Sequence, residues 1–182
     1  MARTLDISEE ESIQQNLNEW CYEVGTHYEE FSRKAAAKFI KYIGKKPVVD
    51  LGSGDGAGAK VFISNGNPTT AVDINPEKLS KIEATKVNTD FLSFLTKPVD
   101  NIFCHHALEH FVNYQEVLDR IGKHLKKGCY AYIAVPKGDD PHSVHHVAFE
   151  SCGELIPPNT ELIEYGESDD SAWPEFYVVV RK

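Results

Sequence analysis

The sequence lacks a long apolar run, a close pair of cysteines and a basic, aromatic-rich tract. Its longest apolar stretch runs only from Cys129 to Val135, whereas a membrane-spanning helix needs ~20 apolar residues. The first residues, MARTLDISEEE, contain no apolar segment of the kind that a secretory signal carries. The four cysteines, at positions 21, 104, 129 and 152, fit neither a disulfide framework nor a zinc ribbon. We therefore expect a cytoplasmic protein with reduced thiols.

Charge is unevenly distributed along the 182 residues, which are enough for one domain with one sizeable core. The net charge is −9, and residues 139–182 hold ten acidic residues against two basic ones. An acidic segment of this kind is most often a solvated surface, and it argues against a nucleic-acid phosphate partner on that side. We therefore expect neither a nucleic acid nor a membrane as a partner. The sequence predicts no oligomeric state.

The apolar pattern predicts helices first and then strands and helices in alternation. Ser8 and Glu11 form a capping-box signature for one helix, and apolar residues at helical spacing predict a second that Gly44 ends. Asn75 caps a short helix, and Asn113 with Glu116 three residues later predicts another capping box. Five strands are predicted at 48–51, 70–74, 86–90, 99–105 and 129–136.

After Pro136 the pattern changes. A short helix is predicted over 144–155, followed by two strands, TELIEY and EFYVVV, that pair antiparallel. Gly128 is expected to end the helix that Asn113 begins. Together these elements predict an α/β fold with a doubly wound, seven-stranded sheet, mostly parallel with an antiparallel last strand. The single domain 1–182 divides into N-terminal helices forming a cap (1–46), a core (47–136) and a C-terminal piece (137–182).

A glycine-rich turn and three acids mark the carboxyl ends of the predicted parallel strands, where such sheets bind ligands. The turn is DLGSGDG, from Asp50 to Gly56, and Asp73 ends the next strand 21 residues after Gly52. That is the expected position for a carboxylate that binds ribose hydroxyls. Asp50 and Asp55 would repel a pyrophosphate, so they favour an adenosine ligand with cationic groups over a dinucleotide.

With these residues, the sequence resembles class I S-adenosylmethionine-dependent methyltransferases, which have a Rossmann-like fold. VVDLGSGDG resembles their first motif, AVDINPEKL the second-strand acid motif and NTDF the motif that contacts adenine. The stretch from VDNIFCHHALEHF to AYIAVP is similar to the subgroup that methylates small molecules, including ubiquinone-biosynthesis O-methyltransferases. The resemblance covers about residues 47–136 and implies S-adenosylmethionine as cofactor. The alternative to a cofactor site is a doubly wound domain in which the glycines serve packing alone.

The resemblance implies a role for each matching residue. Gly52, Ser53 and Gly54 would pass along the methionine part of the cofactor. Asp50 would lie near its ammonium group, to which His105 would offer a backbone carbonyl.

The adenosine part of the cofactor would lie against the next two strand ends. Asp73 would hold the ribose and Ile74 would pack on the adenine, while Asp90 and the backbone N–H of Phe91 would bind the adenine edge. Only 17 residues separate Asp73 from Asp90, fewer than is usual in the family. The helix between them is therefore expected to be short.

The segment His106-x-x-Glu109-His110 has three interpretations. It matches the H-x-x-E-H pattern of a zinc peptidase family, which requires a long helix. A divalent ion is a second interpretation, with His142, His145 and His146 as further ligands, although the sequence assigns no metal. The third is general-base catalysis by His106, Glu109 or His110 beside the cofactor methyl.

We therefore predict methyl transfer from S-adenosylmethionine to an oxygen or nitrogen of a small molecule, by in-line displacement. The acidic C-terminal segment favours a neutral or cationic acceptor, and Trp20 and Tyr22 are candidates for a lid. Three alternatives remain: a cofactor-binding module without catalysis, a nicotinamide-dependent oxidoreductase, and a metal hydrolase. Asp50 and the absence of a substrate domain disfavour the oxidoreductase.

Overall fold

The computed structural model describes residues 2–4, 27–138, 145–168 and 174–182. Five α-helices lie in these residues: α1 (His27–Ile43), α2 (Ala57–Asn65), α3 (Pro76–Ser80), α4 (Phe91–Phe94) and α5 (Tyr114–His124). The strands are β1 (Arg3–Thr4), β2 (Val48–Leu51), β3 (Thr69–Asp73), β4 (Thr85–Asn88), β5 (Asn101–His105), β6 (Tyr130–Pro136), β7 (Val147–Ala148), β8 (Glu161–Ser168) and β9 (Glu175–Arg181). Two 3₁₀ turns, Leu108–His110 and Cys152–Leu155, complete the elements.

Seven strands form one sheet in the order β4-β3-β2-β5-β6-β9-β8. The five strands from β4 to β6 are parallel, and β9 runs antiparallel to both β6 and β8. The predicted doubly wound α/β fold with an antiparallel last strand is therefore confirmed. Strand order reverses between β2 and β5, and open α/β sheets bind ligands outside the carboxyl ends of the strands at this point.

Apolar side chains cover both faces of the sheet. On one face Phe39 of α1 and Phe62 of α2 pack with Phe103 and Tyr132 of the sheet, all of them fully buried. On the other face the apolar side of α5, including Val117 and Ile121, packs with the residues of β2, β5 and β6 that point that way. The sheet is thus held rigidly between two cores, which fixes the positions of its strand ends.

The predicted helix over 144–155 is wrong in its described part. Residues 147–148 form β7, which pairs antiparallel with β1, and residues 152–155 form a single 3₁₀ turn. Val147 and Phe149 are buried in the same apolar core as Leu108 of the preceding 3₁₀ turn, and the backbone of this segment pairs with β1 and with Lys137 instead of coiling into a helix. Apolar spacing over a short segment does not distinguish these two structures.

Two helix boundaries also differ from expectation. α5 begins after Asn113 as predicted, but the Asn113 side chain makes no capping hydrogen bond, and Glu116 instead pairs with Arg120. The same helix ends at His124 rather than at Gly128, because the neighbouring backbone pairs with residue 99 at the edge of the sheet. Gly128 has a φ of +80° and forms the turn into β6.

Several sequence predictions fall outside the described residues. These are the capping box at Ser8, the lid candidates Trp20 and Tyr22, and His142. Within the described ranges, no helix combines the length and the apolar character that crossing a membrane requires.

Candidate active site at the carboxyl ends of the parallel strands

The glycine turn after β2 is held by backbone hydrogen bonds to β3. The amides of Gly52 and Ser53 both donate to the carbonyl of Val72, at 2.9 and 3.1 Å. The amide of Gly54 donates to Oδ2 of Asp73 at 2.8 Å. The turn amides therefore face the neighbouring strand and its acid, so this loop differs from one that cradles a phosphate.

Gly52 and Gly54 both have left-handed backbones but different surroundings. Their φ angles are +72° and +50°, a region that favours glycine. A Cβ on Gly52 would lie 2.4 Å from Cβ of Ala107 and 3.1 Å from Cζ of Phe91. A Cβ on Gly54 would meet no heavy atom of the described residues within 4 Å. Gly52 therefore serves close packing, whereas Gly54 borders open space.

Asp50 is a buried carboxyl beneath this turn. It is 3% exposed, and its Oδ2 has no hydrogen-bond partner among the described residues. Burial raises the pKa of Asp50 to about 7, helped by the nearby charge of Asp73 and opposed by a hydrogen bond from the backbone of Ala59. A cationic group placed here would stabilise the ionised carboxylate.

Asp73 and Ile74 lie at the carboxyl end of β3, next to the turn. Besides Gly54, the backbone N–H of Asn75 donates to Oδ1 of Asp73 at 2.8 Å. Asn75 in turn caps α3 by accepting hydrogen bonds from two backbone amides, as predicted. Ile74 is half-buried, and its carbonyl accepts from the Asn88 side chain. Each Asp73 oxygen can still accept one further hydrogen bond.

Asp90 does not end β4 as predicted, since that strand stops at Asn88. It caps α4 instead, and its Oδ1 accepts from the backbone N–H of Ser93 at 2.9 Å. Burial disfavours the ionised form, but the hydrogen bonds to Ser93 outweigh it and lower the pKa of Asp90. The ring of Phe91 is buried and stacks on Phe111 at 4.5 Å. Its packing holds this corner of the site against the glycine turn.

His105, His106 and Glu175 form the first of two histidine clusters, which we call the Glu175 cluster. Nε2 of each histidine lies 3.2 Å from Oε2 of Glu175. Glu175 is the first residue of β9 and pairs with Pro136 at the end of β6. Because β9 is antiparallel, its beginning lies at the carboxyl edge of the parallel strands.

The Glu175 cluster is buried and rigidly packed. The two imidazole rings stack 4.4 Å apart, and Phe31 of α1 contacts both edge-on. His106 has a φ of +49°, an uncommon backbone conformation for a non-glycine residue. Burial lowers the pKa of His106 to about 4, whereas the two histidines outweigh burial at Glu175 and lower its pKa to about 2. A neutral His106 facing an ionised Glu175 is the state expected near pH 7.

Glu109, His110 and His145 form the second group, which we call the Glu109 cluster. Oε1 of Glu109 lies 4.0 Å from Nε2 of His110 and 3.8 Å from Nε2 of His145. Both distances exceed hydrogen-bond length. Burial raises the pKa of Glu109 to about 8 and lowers that of His145 to about 3.

The structure separates the residues of the predicted H-x-x-E-H motif. His106 belongs to the Glu175 cluster, whereas Glu109 and His110 belong to the other. Residues 108–110 form one 3₁₀ turn, not the long helix of a peptidase site. The motif's hydrolase interpretation therefore has no support in the described residues.

Sequence reasoning missed Glu175 entirely, and it named His145 only as a further ligand in the divalent-ion interpretation. An acid at the start of the apolar strand EFYVVV is the pattern that could have indicated Glu175. Two other acids of the C-terminal segment have partners outside the site: Glu164 forms hydrogen bonds with Tyr42 and Tyr177, and Glu167 pairs with Lys137. The expectation of a neutral or cationic acceptor stays a prediction.

Comparisons with known proteins agree with this architecture. Solved structures that resemble it include the N-methyltransferase NodS from Bradyrhizobium japonicum WM9, in complex with S-adenosylhomocysteine, at 12% identity and a TM-score of 0.71. That match covers 96% of this chain and 97% of NodS. The 1,6-didemethyltoxoflavin-N1-methyltransferase from Burkholderia thailandensis is 21% identical with a TM-score of 0.67, covering 85% of this chain and 79% of that one. Magnesium protoporphyrin IX methyltransferase from Synechocystis PCC 6803 is 12% identical with the same TM-score and coverage.

At such identities the likeness establishes the fold, and no curated protein matches the sequence. The family is established independently, because the family described as "Methyltransferase domain" matches residues 26–168. This confirms the resemblance to class I methyltransferases, while the ubiquinone-type subgroup stays a prediction. The chain belongs to the methyltransferase-domain family.

Proposed function

We propose that this protein transfers a methyl group from S-adenosylmethionine to an oxygen or nitrogen atom of a small molecule. The observation that carries the proposal is the acid-lined glycine turn at the reversal of strand order, where Asp50 lies buried and one of its oxygens has no partner in the described part of the chain. The ammonium group of S-adenosylmethionine would supply the missing partner. Its carboxylate would lie towards the N-terminus of α2, where the helix dipole favours a negative charge.

The same turn argues against a nicotinamide dinucleotide. A pyrophosphate needs backbone amides pointing at it, but the amide of Gly54 is bonded to Asp73. A diphosphate in this position would also lie against the carboxylates of Asp50 and Asp73. Repulsion would weaken such binding, whereas a sulfonium with an ammonium group is attracted.

The remaining cofactor contacts follow from the order of the strand ends. Asp73 would accept from the ribose hydroxyls with its remaining lone pairs, and half-buried Ile74 would pack on the adenine. The backbone N–H of Phe91 and the carboxylate of Asp90 would bind the adenine edge. The carbonyl of His105 would complete the ammonium site together with Asp50.

The acceptor would lie on the side of β5 and β6, between the cofactor methyl and the histidine clusters. Support for a small molecule comes from the neighbours, whose names specify 1,6-didemethyltoxoflavin and magnesium protoporphyrin IX. His106 is the proposed general base, with Glu109 and His110 beside the acceptor. When a hydroxyl attacks the methyl, His106 takes its proton, and the ionised Glu175 stabilises the imidazolium that forms.

Titration calorimetry tests the cofactor directly. S-adenosylhomocysteine should bind one per chain, while NAD should show no heat of binding at the same concentration. Tight binding of NAD with none of S-adenosylhomocysteine would contradict the proposal. Cofactor binding without methyl transfer to any acceptor in a panel of phenols and amines would favour a binding module without catalysis.

The affinity for S-adenosylhomocysteine should depend on the ionisation of Asp50. In the free protein its raised pKa of about 7 leaves the carboxyl protonated at lower pH, whereas the ligand's ammonium group selects the carboxylate. Affinity should therefore fall about tenfold per pH unit below pH 7 and level off above it. Calorimetry from pH 5.5 to 8.5 would measure this slope, and buffers of different ionisation enthalpy would count the released proton.

Asp50→Asn is the matched variant for this prediction, since it keeps the shape but cannot ionise. It should bind more weakly than the wild type at pH 8 and lose the slope between pH 5.5 and 7. A wild-type slope that survives in Asp50→Asn would assign the titration to another group and remove Asp50 from the ammonium site.

A further inference from the structure

The Glu109 cluster contains a buried carboxyl group to which the described residues supply no hydrogen-bond donor. Glu109 is 1% exposed, and neither of its carboxyl oxygens accepts a hydrogen bond from those residues. Ionising a carboxyl group in such surroundings costs several kcal/mol. A cation bound among these side chains would offset that cost.

The Glu175 cluster provides a contrast a few residues away. There the carboxylate contacts two imidazole nitrogens at 3.2 Å, so it already has polar partners. In the Glu109 cluster the corresponding distances are 3.8 and 4.0 Å. Two ligand atoms on a tetrahedral ion, each bonded at about 2.1 Å, stand about 3.4 Å apart. The wider cluster therefore needs only a small side-chain adjustment to close on an ion.

We propose that Glu109, His110 and His145 bind a divalent transition-metal ion. Their ligand atoms all lie within 4.8 Å of one another. Two imidazole nitrogens with one carboxylate suit zinc, cobalt or iron, whereas magnesium and calcium prefer oxygen ligands throughout. The sequence analysis named His145 among the further ligands of a divalent ion as one interpretation of this region, but it assigned no metal.

Local structure fixes these three ligands from two separate segments. Glu109 and His110 lie on the 3₁₀ turn after β5. The backbone N–H of His146 donates to the carbonyl of Glu109 at 2.8 Å, which ties the segment carrying His145 onto that turn. The rings of His110 and His145 meet edge to face at 5.1 Å. His110 is the most exposed of the three side chains, so the ion would enter from its side.

Three protein ligands would leave a coordination position open. An acceptor oxygen could bind there and be held beside the cofactor methyl. This use of the ion rests on the proposed function, whereas binding of the ion does not.

Cobalt and zinc titrations without cofactor test the site. Protein dialysed against a chelator should bind one Co²⁺ per chain, with ligand-field absorption bands that Zn²⁺ displaces. Zn²⁺ should also raise the Tm, since it binds only the folded state. Glu109→Gln and His145→Ala should each weaken Co²⁺ binding by about 100-fold. Loss of a residue that only orients a metal ligand already lowers metal affinity by about 10- to 100-fold, and loss of a ligand itself should cost at least as much.

His124→Ala is the control, because His124 lies at the end of α5 outside both clusters and should leave metal binding unchanged. Circular dichroism in chelator would verify that each variant is folded. Absence of binding, or binding unaffected by Glu109→Gln, would overturn the proposal. If Glu175→Gln were the only variant that lost metal binding, the ion would lie in the Glu175 cluster and the proposal would also be overturned.

Calorimetry with S-adenosylhomocysteine on the same samples separates this proposal from the proposed function. Cofactor binding without metal binding would overturn the metal site alone. Metal binding without cofactor binding would overturn the function alone.

Discussion

Replacing His106 with asparagine should lower kcat for a hydroxyl acceptor by about 100- to 10,000-fold, the range that a general base contributes. Asparagine suits the test because it tolerates the left-handed backbone at this position, φ +49°. It is polar like histidine but cannot accept the proton. Release of S-adenosylhomocysteine at saturating cofactor would measure kcat, and calorimetry should show an unchanged affinity for that product.

The pH profile distinguishes a base from a packing residue. The pKa of His106 is lowered to about 4, so its base form persists from pH 8 down to pH 5. At saturating cofactor, titration of His106 should therefore not change the wild-type kcat between pH 5 and pH 8. The kcat should fall only in more acidic solution, where His106 becomes protonated. Glu175→Gln should shift this acid limb, because it removes the charge that stabilises the imidazolium. A kcat within threefold of wild type in His106→Asn would exclude His106 as the base.

Gly54→Ala should weaken binding of S-adenosylhomocysteine by about 10- to 100-fold, while Gly52→Ala should mainly destabilise the fold. Both residues have positive φ angles, so each substitution costs about 1 kcal/mol of backbone strain. Only the new methyl group on Gly52 would clash with the protein, 2.4 Å from Ala107. The methyl group on Gly54 would enter the open space that the methionine part of the cofactor is proposed to fill.

The two glycine variants control for each other. Gly52→Ala should lose about 2–4 kcal/mol of unfolding free energy, from strain plus overpacking, and Gly54→Ala about 1 kcal/mol. Urea denaturation measures these losses, and calorimetry on the folded fraction measures affinity. Wild-type affinity in Gly54→Ala would show that the cofactor does not pass this residue.

The cofactor half of the site was predictable from sequence because its parts are local. Strand, glycine turn, helix and acid follow one another within residues 48–73, and strand-end residues of a parallel sheet necessarily meet at one edge. Asp50, Gly54 and Asp73 accordingly contact or face one another in the structure. Asp90 was placed less well, because a strand end and a helix cap differ by only two residues here.

The acceptor half was not predictable, since it is assembled over long distances in the chain. Glu175 reaches His105 and His106 only because β9 returns antiparallel beside β6. His145 reaches Glu109 only because residues 147–148 pair with β1 rather than forming a helix. Neither contact leaves a periodic pattern in the sequence, so Glu175 was missed and His145 was named only as one of several further metal ligands.

A crystal structure with S-adenosylhomocysteine would show whether the cofactor lies at the carboxyl ends of the parallel strands. We expect the adenosine beside Asp73, the amino group beside Asp50, and the sulfur facing His106 across the acceptor space. A ligand that lay away from these strand ends, or whose sulfur faced away from both histidine clusters, would contradict the proposed methyl transfer at this site.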